Sequence, residues 1–343
     1  MLRILLTFLL FFVTIDSFSA VDNSAIVTFK QIANELQKER HERAKKLREK
    51  QNYILRSNKK NSNEKKNYNT SAFSPVDQKP IFDIPVTYNN EVKKWIRYYQ
   101  NEGREWFKKR LERSNKYLPI MQQALEEQGL PQDLAYISLI ESGFSAHAVS
   151  TAEAVGYWQF IEATAKRYKL KINWWLDERR DFIKSTRAAA GYLGDLYKMF
   201  NSWYLTASAY NMGENRLRRL IKKHQITDYW TLASKSDFPE ETKQYIPKML
   251  AALLISKAPK LYGFKNLKLM PPYKYEYMFV PGGTDLHTLA NYIGVHKKHL
   301  KKLNPELKMG FIPGFVNSHR IRVPKGFQRK VSSYIRSQLK ATN

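Results

Sequence analysis

The fold of this chain is decided by the stretch Leu139-Ile140-Glu141-Ser142-Gly143-Phe144. Leu134 and Ile137 lie seven and four residues before Glu141, so a helix would put them on the same face as its carboxyl. The other faces are apolar too, and a helix that is apolar all round lies inside a domain. The helix is expected to end at Gly143, because glycine is the common residue just past a helix C-terminus.

A buried carboxyl at Glu141 can be interpreted in two ways. Removal from water raises the pKa of a carboxyl, and a carboxyl that stays protonated near neutral pH can act as a general acid. A buried glutamate can equally be a structural residue that pairs with one of the many arginines. The stretch alone favours neither interpretation.

The composition indicates a chain with a substantial core and a strong positive charge. Its 343 residues suggest about two domains plus extensions, and 43% of them are hydrophobic. The net charge of +27 predicts an anionic partner, which could be nucleic acid, an anionic membrane or an acidic polymer. The chain has no cysteine, which excludes disulfides, a cysteine nucleophile and a lipidated cysteine. Its seven histidines form no H-E-x-x-H pattern, so no metal site is predicted.

The N-terminal residues are predicted to lie outside the folded domains. Residues 1–20 combine Arg3, an apolar run from Ile4 to Ile15 and small residues, as in a signal peptide or an uncleaved anchor. Residues 21–78 form a basic extension, partly helical and partly disordered, which is either a tether to an anionic surface or a solvated spacer. Export would place the protein in the cell envelope, on the periplasmic side.

Helical patterns run almost unbroken through residues 79–268, which predicts one helical domain. No alternating strand pattern occurs between residues 90 and 260. Ser114 is expected to cap a new helix, and Pro247 is expected to split the last helix just after Tyr245.

The pattern changes after Pro271-Pro272. A strand is predicted at residues 275–280, followed by two short helices and a closing strand at residues 320–323. This predicts a separate βααβ module over residues 273–327, with a basic tail at residues 328–343.

Polar side chains interrupt the apolar helices in four segments. Because each buried polar group needs a partner, a ligand can supply it. Aromatic faces suit the rings of a sugar, and amides suit its hydroxyl and acetamido groups. The segments are Glu141-Ser142, Gly156-Tyr157-Trp158-Gln159-Phe160, Ala209-Tyr210-Asn211 and Tyr245-Ile246-Pro247.

The same segments resemble the motifs of the lytic transglycosylases in the lysozyme-like superfamily, most closely the family of membrane-bound lytic murein transglycosylase D. Glu141-Ser142-Gly143-Phe144 is similar to the catalytic glutamate motif, and Tyr245-Ile246-Pro247-Lys248 is similar to the last tyrosine motif. Two motifs depart from the family pattern, with Tyr157 in place of leucine and Met212 in place of alanine. The C-terminal unit resembles a LysM module, although Gly283-Thr284-Asp285-Leu286 reverses the usual Asp-Thr order.

The resemblance implies a mainly α fold, with a lysozyme-like helical catalytic domain followed by a small βααβ LysM-like module. It implies that Glu141 is the catalytic acid and base. It also implies that five residues orient the sugar, namely Ser142, Gln159, Tyr210, Asn211 and Tyr245.

The reaction implied by the resemblance is non-hydrolytic cleavage of the MurNAc-β-1,4-GlcNAc bond of peptidoglycan, which leaves 1,6-anhydro-muramyl ends and needs no cofactor. A single buried carboxylate suits this reaction, since the acidic residues nearest in sequence lie outside the apolar motifs and the run Asp177-Glu178-Arg179-Arg180 favours ion pairs. The expected partners are peptidoglycan glycan strands and, peripherally, the membrane, but not nucleic acid. The alternatives are a hydrolytic muramidase or chitinase-like glycosidase and a non-catalytic peptidoglycan-binding scaffold.

Overall fold

The computed structural model describes residues 82–341, with side chains to residue 338; the predicted signal segment and basic extension, residues 1–20 and 21–78, lie outside this range. None of the helices in the described range is long and apolar enough to cross a membrane. The α-helices that precede the first strand are α1 (Asn90–Gln100), α2 (Arg104–Glu126), α3 (Tyr136–Glu141), α4 (Glu162–Arg167), α5 (Phe182–Phe200), α6 (Trp203–Met212), α7 (Glu214–His224), α8 (Tyr229–Ala233) and α9 (Glu240–Lys257).

Helix α9 lies at the centre of the helical domain. Apolar residues cover nearly every side of its second half, and Ile246, Leu250 and Leu253 are fully buried. Helices α1, α3 and α6 all pack against it. The buried α3, which carries Glu141, therefore lies directly beside the helix that carries Tyr245.

Two predicted helix boundaries are wrong, at Ser114 and at Pro247. Ser114 lies inside α2, where its hydroxyl donates to the carbonyl of Leu111 at 2.6 Å instead of capping a helix. Pro247 lies inside a continuous α9. A proline cannot donate to the carbonyl four residues earlier, and here the Tyr229 hydroxyl donates to that Lys243 carbonyl at 3.1 Å.

The C-terminal module has the predicted βααβ order. Strand β1 (Tyr275–Pro281) pairs antiparallel with β2 (Ser318–Pro324), and between them lie α10 (Leu286–Ile293) and α11 (Lys297–Leu303). The module extends further than residue 327. Helix α12 (Gln328–Ala341) occupies the predicted basic tail and buries Val331 and Tyr334 in the core of the module.

The module packs directly on the helical domain. Trp175 and Leu176, which belong to the helical domain by sequence, are buried in the apolar cluster of the module. The backbone N–H of Asp177 donates to the carbonyl of Glu306 at 2.9 Å, and that of Lys308 donates to the carbonyl of Trp175 at 2.9 Å. The prolines at residues 271–272 therefore connect two parts that share a buried interface.

Candidate active site

Glu141 is the last residue of α3, as the sequence predicts. A short 3-10 helix at Gln132–Ala135 precedes α3, and Ile137 and Leu139 are fully buried. Gly143 follows with a positive φ of 61°, a conformation that favours glycine. A Cβ at this position would lie 2.5 Å from the Arg110 side chain, so the chain turns where a larger residue would collide.

Two arginines from α2 bind the C-terminal end of the Glu141 helix. Arg110 donates to the carbonyl of Leu139 at 3.0 Å, and Arg113 donates to the carbonyl of Gly143 at 3.1 Å. The Arg110 guanidinium also lies 3.6 Å from the centre of the Trp106 ring. Cations at a helix C-terminus are stabilising, so both arginines help to fix the backbone that carries the carboxyl.

The Glu141 carboxyl is held by Tyr245, which lies 104 residues further along the chain. The Tyr245 hydroxyl donates to Oε1 of Glu141 at 2.5 Å. Burial raises the pKa of Glu141 to about 7, against the opposing effects of the Tyr245 hydrogen bond and the positive charge of Lys248. A carboxyl with a pKa in this range can either give or take a proton near neutral pH.

The turn at residues 156–160 lies beside Ser142, the residue that follows Glu141. Ser142 donates to the carbonyl of Tyr157 at 2.8 Å, and Tyr210 donates to the carbonyl of Trp158 at 2.6 Å. The Gln159 amide donates back to the carbonyl of Gly156 at 2.9 Å. Three of the predicted site residues thus hold the backbone of this turn.

The predicted sugar-orienting residues fall into different positions around Glu141. Tyr245 contacts the carboxyl directly. Ser142 is buried, and its hydroxyl is occupied by backbone groups on both sides. Asn211 is half-buried and lies between Glu241 and Thr242, donating to the first at 3.2 Å and accepting from the second at 2.6 Å. Their contacts with a sugar stay predictions.

Two charged residues near Glu141 were given no role from the sequence, although one of them, Lys248, is part of the last tyrosine motif. The carboxylate of Glu241 raises the pKa of Glu141, and Lys248 lowers it. They lie four residues before and three residues after Tyr245 on α9. Helical spacing puts all three on one face, so the period of α9 was the signal that could have identified them.

The predicted ion pairs of the run at residues 177–180 are confirmed, and they brace the site. Asp177 accepts from the Arg179 guanidinium at 2.9 Å and lies 3.7 Å from that of Arg180. Arg179 donates to the carbonyl of Phe160 at 3.2 Å, and Arg180 donates to that of Ala146 at 2.9 Å. Asp177, whose backbone contacts the C-terminal module, thus pairs with two arginines that bind the backbone carbonyls of Phe160 and Ala146.

The described part of the chain contains no group of three or more His, Asp or Glu side chains that could hold a metal ion.

Comparison with known proteins supports the motif resemblance. Residues 119–233 match the Transglycosylase SLT domain family, and residues 276–338 match the LysM-like domain of lytic transglycosylase MltD. The chain is 34% identical over 218 residues to membrane-bound lytic murein transglycosylase D of Escherichia coli (strain K12), covering 62% of this chain and 47% of that protein. It is 43% identical over 110 residues to a protein of Alteromonas sp. (strain M-1) named for tributyltin chloride resistance, covering 32% of this chain and 53% of that protein.

Among solved structures, the 70 kDa soluble lytic transglycosylase of Escherichia coli aligns with a TM-score of 0.37 and 19% identity, covering 52% of this chain and 32% of that chain. The chain spans about half the length of the curated relatives described above. The predicted resemblance and fold class are confirmed by the two family matches. The chain carries a Transglycosylase SLT domain followed by the LysM-like domain of the lytic transglycosylase MltD family.

Proposed function

We propose that this protein is a lytic transglycosylase that cleaves the MurNAc-β-1,4-GlcNAc bond of peptidoglycan and leaves 1,6-anhydro-muramyl ends. The observation that carries the proposal is the Glu141 carboxyl, which is held by Tyr245 and has a pKa raised to about 7 by burial. The family matches and the murein transglycosylase relative agree with this chemistry. The net charge of +27 also suits a polymer that carries lactyl and peptide carboxylates.

In the first step, Glu141 acts as a general acid. Because Tyr245 donates to Oε1, the proton of the neutral carboxyl belongs on Oε2. Oε2 gives this proton to the glycosidic oxygen, the C1–O bond breaks, and the GlcNAc residue leaves with a free 4-hydroxyl. The muramyl ring becomes oxocarbenium-like at C1.

In the second step, the same residue acts as a general base. The Glu141 carboxylate removes the proton from the C6 hydroxyl of the muramyl residue, and O6 attacks C1 to close the 1,6-anhydro ring. The carboxyl ends protonated, so one residue completes the cycle without water. The Tyr245 hydrogen bond and the charge of Lys248 both stabilise the carboxylate that exists between the two steps.

Hydrolysis is the second candidate function, and Glu241 is the observation that favours it. An inverting or retaining glycosidase needs a second carboxylate near the first. Glu241 is exposed, receives a hydrogen bond from Asn211 and interacts electrostatically with Glu141. A water molecule activated by Glu241 would give a reducing end where the transglycosylase gives an anhydro end.

Product analysis separates the two functions. Mass spectrometry of fragments released from purified murein is expected to give muramyl ends that are about 18 Da lighter than hydrolytic ends, because no water is added. The Glu241→Gln variant is expected to give the same anhydro products. Reducing ends from the wild-type protein, lost in Glu241→Gln, would instead support hydrolysis.

The pH profile offers a further prediction through Lys248. Its positive charge lowers the pKa of Glu141, so the Lys248→Met variant is expected to raise that pKa. Activity that requires a protonated Glu141 falls as pH rises through this pKa, so the alkaline limb of kcat/KM should move to higher pH in the variant. Initial rates between pH 5 and 9 measure the shift.

Lys243→Met is the matched control for this prediction. Lys243 lies on the same helix, where it pairs with Glu240 at 3.3 Å. Its replacement by methionine removes the same single positive charge from α9. An alkaline limb that moves equally in both variants would indicate a general effect of net charge. A limb that moves in neither variant would contradict the assignment of Glu141 as the acid.

The proposed location is the cell envelope, with peptidoglycan glycan strands as the partner. The envelope is the compartment in which the relatives named murein transglycosylases would meet this polymer. The SLT and LysM-like family matches support peptidoglycan as the substrate of the chain. A peripheral hold on the membrane by the basic extension at residues 21–78 belongs to the same proposal.

A further inference from the structure

An exposed cluster of aromatic rings lies at the junction of the helical domain and the C-terminal module. We define the aromatic tip as Trp174, Met309, Phe311 and Phe315. The ring centre of Trp174 lies 5.9 Å from that of Phe311 and 6.5 Å from that of Phe315. Trp174, Met309 and Phe315 are 55%, 62% and 74% exposed, although each is a large apolar residue. Exposed apolar side chains that contact one another mark an interaction surface more often than isolated ones do.

The aromatic tip is presented by a loop that the rest of the module holds in place. Gly283 donates to the carbonyl of Ile312 at 2.8 Å, and Leu286 donates to that of Gly310 at 2.9 Å. On the side of the helical domain, the Lys308 ammonium donates to the carbonyl of Asn173 at 3.2 Å. These hydrogen bonds fix the backbone of the loop, so the fold itself holds the rings in exposed positions.

The exposed charged side chains on the two segments that carry the aromatic tip are all positive. Residues 168–177 and 304–320 include two acidic residues, Asp177 and Glu306, and both are buried in ion pairs with arginine. The exposed charged residues on these two segments are Lys169, Lys171, Lys308 and Arg320. These two segments thus present protruding apolar side chains beside exposed positive charges. Asp285, whose backbone forms a bridge with Phe311, is half-buried and caps α10 by accepting from the backbone of Thr288.

We propose that the aromatic tip is a docking surface for an anionic lipid bilayer. Tryptophan and phenylalanine are the side chains that insert at the boundary between headgroups and acyl chains, and lysines beside them attract anionic headgroups. A second copy of this chain is a less favourable binding partner, because the lysines of the two copies would then repel one another. The inference does not depend on the proposed enzymatic activity.

The experiment measures binding of the full chain to vesicles. Cosedimentation with vesicles of phosphatidylcholine and phosphatidylglycerol is expected to retain the protein, and vesicles of phosphatidylcholine alone are expected to retain much less. The double variant Trp174→Ser/Phe315→Ser is expected to partition about tenfold more weakly, since it removes two inserting rings. High salt is expected to weaken binding of the wild-type protein, because it screens the lysines.

Leu269→Ser is the matched control, because Leu269 is 53% exposed and lies outside the aromatic tip. The basic extension is present in every variant, so any vesicle binding that it causes cancels in the comparison. Thermal unfolding by circular dichroism checks that the double variant is folded. If the folded double variant binds vesicles as tightly as Leu269→Ser, the proposal is overturned.

Two further measurements test whether the aromatic tip binds lipid or glycan. Lipids brominated near the headgroup should quench tryptophan fluorescence of the wild-type protein, and the Trp174→Phe variant should lose that part of the quenching. Binding to purified murein sacculi should be unchanged in the double variant. A double variant that loses sacculus binding and keeps vesicle binding would overturn the proposal in favour of a glycan-binding surface.

Discussion

Replacing Glu141 with glutamine is expected to lower the rate of murein cleavage by about 10²–10⁴-fold, the usual contribution of a general acid and base. Glutamine keeps the shape of the side chain and can still accept the hydrogen bond from Tyr245. It can neither give a proton to the glycosidic oxygen nor take one from the C6 hydroxyl. Release of soluble fragments from purified murein, measured over hours, gives the rate.

The stability of the Glu141→Gln variant provides an internal check. Burial raises the pKa of Glu141 above its unfolded value, so the folded state binds more protons and the wild-type protein loses stability as pH rises through the interval from 4.5 to about 7. Glutamine carries no charge to bury, so the variant should be at least as stable as the wild-type protein at pH 8.

The matched control for Glu141→Gln is Glu162→Gln. Glu162 lies on the surface of α4 and pairs with Lys166, so its loss should leave the activity within twofold or so, as for most surface substitutions. A folded Glu141→Gln variant that cleaves murein as fast as Glu162→Gln would show that another residue is the acid.

The sequence predicted the helix that carries Glu141, because that helix depends on local information. The spacing of apolar residues around Glu141 identifies a buried helix, and Gly143 marks its end. The strands β1 and β2 were equally predictable, since their patterns and the two helices between them are short and regular. The order of elements in the C-terminal module could thus be predicted up to residue 327, but the helix α12 that follows was expected to be a basic tail.

The contacts that position Glu141 could not be predicted in this way. Arg110 and Arg113 reach the end of α3 from the middle of α2, and nothing in the period of α2 indicates which carbonyls they will meet. Pro247 was expected to break α9, yet Tyr229 supplies the hydrogen bond that proline removes from the Lys243 carbonyl. Periodicity indicates which face of a helix is buried but not which side chain from another element will satisfy its backbone.

The relation between the two domains was the largest structural feature that the sequence did not indicate. Pro271-Pro272 and the change of pattern after them predict a separate module. The structure instead buries Trp175 and Leu176 of the helical domain in the core of that module. An apolar dipeptide in a loop carries no information about which partner will cover it, so this interface becomes visible only in three dimensions.

A buried arginine holds the two domains together at this interface. Arg322 of β2 is 2% exposed and lies 2.5 Å from the carboxylate of Asp181 and 2.9 Å from that of Glu306. Asp181 also caps the N-terminus of α5 by accepting from the backbone of Ile183 and Lys184, at 2.9 Å each. One guanidinium thus joins the strand pair of the module to the start of a core helix of the helical domain.

The Arg322→Met variant is expected to lose about 3–5 kcal/mol of stability, because it leaves two buried carboxylates without their cation. Methionine fills a similar volume, so the loss reports the charge rather than a cavity. The matched control is Arg320→Met, because Arg320 is exposed on the same strand. Its guanidinium lies over the Tyr277 ring at 4.3 Å, and such a contact contributes about 0.5–1 kcal/mol at exposed sites. Urea unfolding followed by tryptophan fluorescence gives both values. Equal midpoints for the two variants would mean that the buried ion pairs add nothing to the interface, and that the module is held by its apolar contacts alone.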